Sequence, residues 1–358
     1  MKVKSIKICQ FRNFHELEVT FSPKITILYG DNATGKTSII EAINCVSTVK
    51  SFRTNDSFEL INDKSDYFYL ECSLLKEQKS EKVTFYCDNK TKRIKINNFL
   101  YTKLSNYVGF FNVVCFSALD FLKLKGSSID RRKMFDLVFC QISKDYLIVS
   151  NYYKKVLKDR NALLKRLSFE NRSDLQKLLD VVTEQLINYG NQIIELRKKY
   201  LLKIADYAKE NHYKISNNSE GLSLNYFATV DKLTEEDFLK VYSEDLRKGY
   251  TTIGPHRDDY IFIINNKNVA LYGSQGQQRN AMLSVKLGMA DLINEIKKEA
   301  PTLLLDDVFS ELDKNRQNSL INSLNPDYQT IITTASISDL DNKILDNALI
   351  VELNKRSE

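Results

Sequence analysis

The sequence predicts an α/β fold whose body is split by a pair of antiparallel helices. Three observations carry this prediction. A short apolar run, ITILY at 25–29, leads into a glycine-bounded loop and then into TSIIEAINCV, the order of a buried strand, a turn and a helix. Apolar residues fall at 149, 152, 156, 163 and 167, and again at 175, 178, 182, 186, 189, 193, 196, 200, 204 and 207. That spacing of four and three is a coiled-coil seam. Strand-like runs then return as YIFII, TLLLDD, QTIITTAS and NALIVEL.

Taken in order, residues 3–8 and 17–21 alternate as strands do. Residues 66–72, 82–88 and 93–96 are further strands, and Asp88–Asn89 supplies turn chemistry for antiparallel hairpins. The character changes after about residue 115. The two helices of the seam are separated by a polar break, Ser168 to Asp174, which contains the capping-box pattern Ser173-x-x-Gln176. Lys154, Lys155, Lys158, Arg160, Lys165, Arg166, Arg197, Lys198 and Lys199 decorate this hairpin. They read either as a solvated helix exterior or as a surface for DNA. Residues 216–222 read as loop. A helix starts at Thr234 with acidic residues in its first turn, as the helix dipole favours. NNKN after YIFII is a turn, and a helix over about 277–299 stops before Pro301. The expected division is an N-terminal body segment over 1–114, a helical insertion over 115–248, and a C-terminal body segment over 249–358.

With 358 residues, 43% of them hydrophobic and 27% charged, the chain has the composition of a soluble globular protein with room for two domains. The net charge of +6 is compatible with nucleic acid. The six cysteines form no CxxC pair and no histidine stands at ligand spacing, so a zinc site is not expected. The cysteines read as reduced core residues of a cytoplasmic protein. The N-terminus carries no signal-like apolar stretch, and no apolar run approaches the roughly 20 residues of a membrane span.

Gly30-Asp31-Asn32-Ala33-Thr34-Gly35-Lys36-Thr37 matches GxxxxGK[ST] between a strand and a helix. In such a loop the backbone N–H groups wrap a phosphate, the lysine reaches the β- and γ-phosphates, and the threonine hydroxyl coordinates Mg²⁺. The expected ATP-binding stretch runs through Ser38. A metal bound there needs an acid. Asp306 and Asp307 end an apolar strand, at the edge where open α/β sheets bind ligands. Successive strand residues face opposite sides, so Asp306 is assigned to Mg²⁺ and Asp307 to polarising the attacking water. LYGSQGQQRNAML at 271–283 is too polar for core and feeds a helix. It reads as a helix N-terminus that favours an anion.

The P-loop, the LLLDD strand, Ser310-Glu311-Leu312-Asp313 behind it and YGSQGQQR ahead of it resemble the ABC-type ATPase head of chromosome-maintenance and repair proteins. FRNF at 11–14, DRRKMFD near 130, TTIGPHRDD at 251–259 and the short helical insertion make the chain most similar to the RecF family of bacterial replication and repair proteins. The resemblance implies a head that dimerises around ATP on DNA. The P-loop of one copy would hold each nucleotide. Ser274, Gln275, Gly276 and Gln277 of the other would cap it, with Ser274 on the γ-phosphate. Asp313 would cross the interface, and Arg12 would lie near the nucleotide. The resemblance further implies a weak, DNA-stimulated ATPase that acts at gaps or junctions, supports the SOS response and works with RecO- and RecR-type partners in loading a recombinase. Two departures imply slow turnover. Thr333-Thr334-Ala335-Ser336 stands where transporter heads carry a switch histidine, with Thr334 or Ser336 as a partial substitute, and Asp307 is shorter than the usual glutamate. His256 and Arg257 have two readings, a salt-bridged turn or a place near DNA or the hinge. A small-molecule kinase would leave YGSQGQQR without a role, and a transporter head lacks the paired helices.

Overall fold

The computed structural model describes all residues except 78, 170, 171, 217–219, 313 and 355–358. The chain begins with β1 (Lys2–Phe11), β2 (Phe14–Thr20), β3 (Ile25–Tyr29) and α1 (Lys36–Thr48). Next come β4 (Tyr67–Lys76), β5 (Lys79–Asp88), β6 (Lys92–Ile96), β7 (Phe99–Tyr101) and β8 (Val113–Phe116). The helical region holds α2 (Leu119–Lys125), α3 (Ser128–Ile142), α4 (Lys144–Leu167) and α5 (Ser173–Ile215). It is followed by β9 (Leu222–Phe227), α6 (Glu235–Lys248), β10 (Asp259–Ile264), β11 (Lys267–Asn268) and α7 (Val269–Tyr272). The chain closes with α8 (Gln275–Lys297), β12 (Thr302–Asp306), α9 (Lys314–Ser323), β13 (Gln329–Thr334), α10 (Asn342–Leu345) and β14 (Ala348–Glu352).

A five-stranded parallel sheet, ordered β14-β3-β13-β12-β8, forms the body. Its central strands β12 and β13 are buried along their whole length because both faces are covered. Ile27, Leu303, Leu305 and Ile332 join the core shared with the helices. Leu28, Leu304 and Ile331 join the core shared with α1 and a six-stranded antiparallel sheet, β2-β1-β4-β5-β6-β7. Helix α1 is therefore buried along nearly its whole length, between two sheets. A third sheet, β11-β10-β9, supports the helical region. Two hairpins close on paired asparagines. Asn97 and Asn98 (φ 47° and 73°) join β6 to β7, and Asn265 and Asn266 (φ 48° and 62°) join β10 to β11. Asparagine tolerates the left-handed backbone that such tight turns require.

Helices α4 and α5 form the expected antiparallel hairpin. At 43 residues, α5 runs past the seam to Ile215, a length of about 64 Å. Its far end packs on α8, where Gly288 lets the backbones approach: a Cβ there would lie 2.9 Å from the Ile204 carbonyl oxygen and the Ala208 nitrogen. The expected capping box is absent. Ser173 is already helical, and Arg172 stands at the cap position without a side-chain cap. Capping boxes lie instead at α6, where Thr234 and Asp237 satisfy each other's backbone N–H, and at the start of α8. Two of the nine basic residues expected on the hairpin exterior are buried. Arg160 donates to Asp245 and Thr251 (2.7 Å each) and to Thr183 (3.0 Å). Arg197 grips Asp136 (2.8 and 3.0 Å) and the Pro255 carbonyl (2.6 Å). Both lie on the inner stripe of their helices and tie α6 and the 251–259 segment to the hairpin.

The expected segment boundaries are displaced. The one at 114/115 falls inside β8, which pairs with β12 of the body sheet. The one at 248/249 separates β9 from β10, yet these pair over six residues. Leu222, at the end of the expected loop, is the first residue of β9.

Removing Arg160 would leave the fully buried Asp245 carboxylate without its cation. Arg160→Ala is expected to cost about 3–5 kcal/mol. Urea unfolding followed by circular dichroism checks this, and a loss below 1 kcal/mol would contradict the structural role.

Candidate nucleotide-binding site

The site forms where the C-terminal ends of β3, β12 and β13 meet. Tyr29 pairs with Thr334, and Asp306 pairs with Thr333. The loop after β3 turns on two glycines. A Cβ on Gly30 (φ 152°) would sit 2.2 Å from the Leu353 carbonyl oxygen, and one on Gly35 (φ 96°) would sit 2.3 Å from the Phe14 ring. Gly35 occupies the cap position of α1 without any side-chain cap, so the first-turn N–H groups stay open toward the loop. Asp31, Asn32 and Ala33 are exposed, Ser38 is buried, and the Thr34 hydroxyl closes the loop onto the Asp31 carbonyl (2.9 Å). Lys36 Nζ lies across the loop mouth, donating to the carbonyls of Gly30 (2.6 Å) and Asp31 (2.8 Å). Burial lowers the pKa of its ammonium, while Asp307, Asp306 and Asp31 pull it back up.

Asp306 holds the corner together. One oxygen, Oδ1, accepts from the hydroxyls of both Thr37 and Thr333, each at 2.9 Å. Burial pushes its carboxyl pKa up and the two hydroxyls oppose the shift. The Thr333 hydroxyl also accepts from the Asp307 N–H (2.9 Å). Asp307 is exposed with φ 54°, so the two carboxylates do part company at the strand end. Thr37 and Asp306 together present a hydroxyl and a carboxylate oxygen in contact, a donor pair that fits Mg²⁺, which takes few protein ligands beside phosphate oxygens. The substitute for a switch residue needs correction. Thr334 is buried and its hydroxyl donates to the Ser336 carbonyl (2.9 Å). Thr333 is the hydroxyl that faces the acids. Ser336 lines a cavity of about 370 Å³ beside Gly30 and Asp31.

Arg12 is brought to Glu41, one helical turn beyond Thr37. The contact is bidentate (2.9 and 2.8 Å), and a third bond reaches the Glu59 carbonyl (2.7 Å). It neutralises a fully buried carboxylate on α1 and pins the antiparallel sheet to that helix. Asp313 lies outside the described residues.

The YGSQGQQR turn is built as a helix cap. Helix α8 starts at Gln275, two residues earlier than expected. Ser274 Oγ accepts from the Gln277 N–H (3.2 Å), and Gln277 Oε1 accepts from the Ser274 N–H (2.9 Å). Ser274 and Gln275 are exposed. Gly276 leaves room for the Arg316 guanidinium, 3.1 Å from where a Cβ would stand. Glu220 accepts from Gln277 Nε2 (2.7 Å). Glu220, Ser274, Gly276, Gln277, Asn280 and Arg316 line a cavity of about 340 Å³, and no residue of 30–37 lines it. The turn and the P-loop therefore open on separate parts of one chain.

The TTIGPHRDD segment is structural. His256 bonds Tyr153 (2.7 Å) and the Thr251 carbonyl (3.0 Å), and burial pushes its pKa down to about 4. Arg257 donates to the same carbonyl and stacks on Tyr250, 4.8 Å from the ring centre. Glu41, Glu220 and Arg316 were not expected at either site, and Thr333 was expected only as the first residue of the 333–336 stretch, with Thr334 or Ser336 as the substitute. Only Thr333 carried a usable signal, a hydroxyl residue one step before the end of a buried strand.

The family model described as RecF/RecN/SMC N terminal domain matches residues 2–352. The DNA replication and repair protein RecF of Pediococcus pentosaceus is 38% identical over 96% of this chain and 95% of its own length. That of Clostridium kluyveri is 40% identical over 99% and 98%. A solved structure of the recombination mediator protein RecF-ATPrS in the RecFOR pathway superposes with a TM-score of 0.87 at 32% identity, covering 99% of this chain and 98% of that one. A second, of RecF-ATP, gives 0.86 at 33%, covering 95% and 93%. An Smc head domain from Pyrococcus furiosus, at 16% identity and a TM-score of 0.55 over 99% and 94%, shares the fold.

Both hydrogen bonds to Asp306 land on Oδ1, so Asp306→Asn keeps the acceptor while removing a charge that burial disfavours. A carboxyl with a raised folded-state pKa destabilises the fold once ionised. The substitution should therefore raise the midpoint of thermal unfolding at pH 7 without nucleotide. It should also abolish Mg²⁺-dependent ATP turnover. Calorimetry and phosphate release check the two arms, and a lowered midpoint would contradict the assignment.

Proposed function

We propose, for a chain that belongs to the RecF family of DNA replication and repair proteins, an ATP-gated DNA-binding role carried out by a homodimer. The observation that carries this reading is the separation of the two anion-binding turns. The P-loop offers helix N–H groups, Lys36 and the Thr37–Asp306 pair. The Ser274 turn offers a second, already capped helix end with Arg316 beside it. Neither shares lining residues with the other. Facing copies complete both: each nucleotide lies on one P-loop and under the partner's turn, where the helix dipole and the Ser274 hydroxyl meet the terminal phosphate. ATP supplies the phosphoanhydride and the γ-phosphate charge, and Mg²⁺ offsets that charge. Within the chain, Lys36 holds phosphate, Thr37 and Asp306 hold the metal, and Asp307 orients water.

Hydrolysis is slow in this reading. Asp307 is short, and the hydroxyl of Thr333 stands behind it where a protonatable side chain would assist. ATP then acts as a timer for residence on DNA. Solved relatives of high similarity are named within the RecFOR pathway, which supports RecO- and RecR-type partners for this chain. A cytoplasmic location is proposed from the DNA-bound role alone; among the described residues no helix is long and apolar enough to cross a membrane.

Ser274→Arg should leave ATP binding to the single chain intact while preventing ATP-dependent dimerisation. Sedimentation velocity with and without ATP reads this directly, and a persisting dimer refutes the shared site. Lys36→Met should remove ATP-dependent retention on DNA, and unchanged retention refutes the gating. Reversing Lys154, Lys155 and Lys158, all exposed on α4, should reduce the slope of log affinity against log salt by up to about three. An unchanged slope would make the hairpin purely structural.

A further inference from the structure

The antiparallel sheet has one face in the core beside α1 and one face toward solvent. The outer face is expected to be polar. Its β2 end follows that rule, with Glu18 opposite Lys7 and Glu16, in the next row, ion-paired to the same lysine (2.7 Å). The β4–β6 end does not. There Tyr69, Tyr86 and Arg93 stand in one cross-strand row, since Tyr69 pairs with Tyr86 and Tyr86 with Arg93. In the next row Thr84 pairs with Lys95 and Lys95 with Leu100. Tyr67 stacks on Tyr86 with ring centroids 5.7 Å apart and planes at 24°. Tyr67 and Leu100 are 41% and 43% exposed, and Arg93 and Lys95 are exposed.

The acids on this part of the face are already engaged. Glu71 accepts from Lys82 (2.7 Å) and from the Tyr69 hydroxyl (2.6 Å). Asp88 accepts from the N–H groups of Lys90 (2.7 Å) and Thr91 (2.6 Å) in its own turn. Arg93 and Lys95 have no ion pair among the described residues. The face thus presents flat aromatic rings flanked by cations that lack carboxylate partners. Aromatic rings in rows beside cations on an open sheet suit unstacked bases and their phosphates. Cross-strand aromatic pairs also stabilise sheets, but that role needs neither the unmatched cations nor the exposure.

We propose that the outer face of β4–β6, centred on Tyr67, Tyr86, Arg93 and Lys95, is a binding platform for single-stranded nucleic acid. This rests on the DNA-binding role above and gives it a second surface, distinct from the basic hairpin. Bases lie on the Tyr67–Tyr86 stack and phosphates lie against Arg93 and Lys95. The sheet spaces successive outward rows about 6.8 Å apart along a strand, so the face accommodates an extended strand and rejects the stacked bases of a duplex. Sequence preference is expected to be slight, because every base has a ring face.

The test uses the full-length protein with ATP and fluorescence anisotropy on a labelled oligothymidine and on a labelled duplex of equal length. Tyr67→Ala with Tyr86→Ala should weaken oligothymidine binding about tenfold or more, with duplex binding and ATP-dependent dimerisation unchanged. Tyr86→Phe should keep wild-type binding, since the ring and not the hydroxyl does the stacking. Arg93→Glu with Lys95→Glu should weaken oligothymidine binding and flatten its salt dependence. Unchanged oligothymidine affinity in both double variants overturns the proposal and leaves the face to a protein partner. Equal loss on duplex and single strand also overturns it. If the wild-type protein binds neither DNA, the underlying DNA-binding reading fails instead, so the two failures are distinguishable.

Discussion

One carboxylate oxygen, Asp306 Oδ1, ties the nucleotide corner together. It receives a hydroxyl from α1 and a hydroxyl from β13 while belonging to β12. Three elements distant in sequence are fixed relative to one another by two hydrogen bonds in a buried place. The P-loop inherits its position from this arrangement, because Thr37 is part of it and the loop ends two residues earlier, at Gly35. The charge itself is unfavourable there, as its raised pKa states. An acid held against its preference, with two hydroxyl donors and, among the described residues, no cation in hydrogen-bonding contact, is poised to accept a metal.

The helical region uses the opposite strategy. Two of its buried arginines are each met by an acid, Arg160 by the buried Asp245 and Arg197 by the half-buried Asp136. Each pair joins segments that apolar packing alone would leave free to slide. Arg197 also takes the Pro255 carbonyl, and His256 is held neutral by its surroundings. Residues 251–259 thus act as a polar seam between the hairpin and the three-stranded sheet. A buried pair contributes little net stability but strongly disfavours other arrangements.

Much of this was legible from the sequence, and for physical reasons. The P-loop, the buried strands and the Asp306–Asp307 pair are local signals: glycine at forced backbone angles, apolar runs with two covered faces, acids at a strand end. The α4–α5 seam was legible from its spacing. Local patterns could not say which charged residues on that seam point inward, because Arg160 and Lys158 look alike until Asp245 arrives from 85 residues away. The same limit hid the partner of Arg12, which is Glu41 on α1 and not the loop itself. Pairing of β9 with β10 spans the α6 helix, so the boundary at 248 cut through a sheet. The Ser173 box failed because its pattern is short and the helix simply began one residue early.

The length of α5 has a further consequence. Its first turn stands at the tip of the hairpin, and its last residues, Ile215 and Ser216, line the cavity under the Ser274 turn. A continuous helix about 64 Å long is stiff. A tilt of about five degrees around residues 204–208 moves the hairpin tip roughly 4 Å and the cavity end roughly 1 Å. The Gly288 contact, where α5 meets α8 backbone to backbone, is placed as a fulcrum near the cavity end. Because the helix is continuous, any shift of its cavity end would appear about fourfold larger at the hairpin tip.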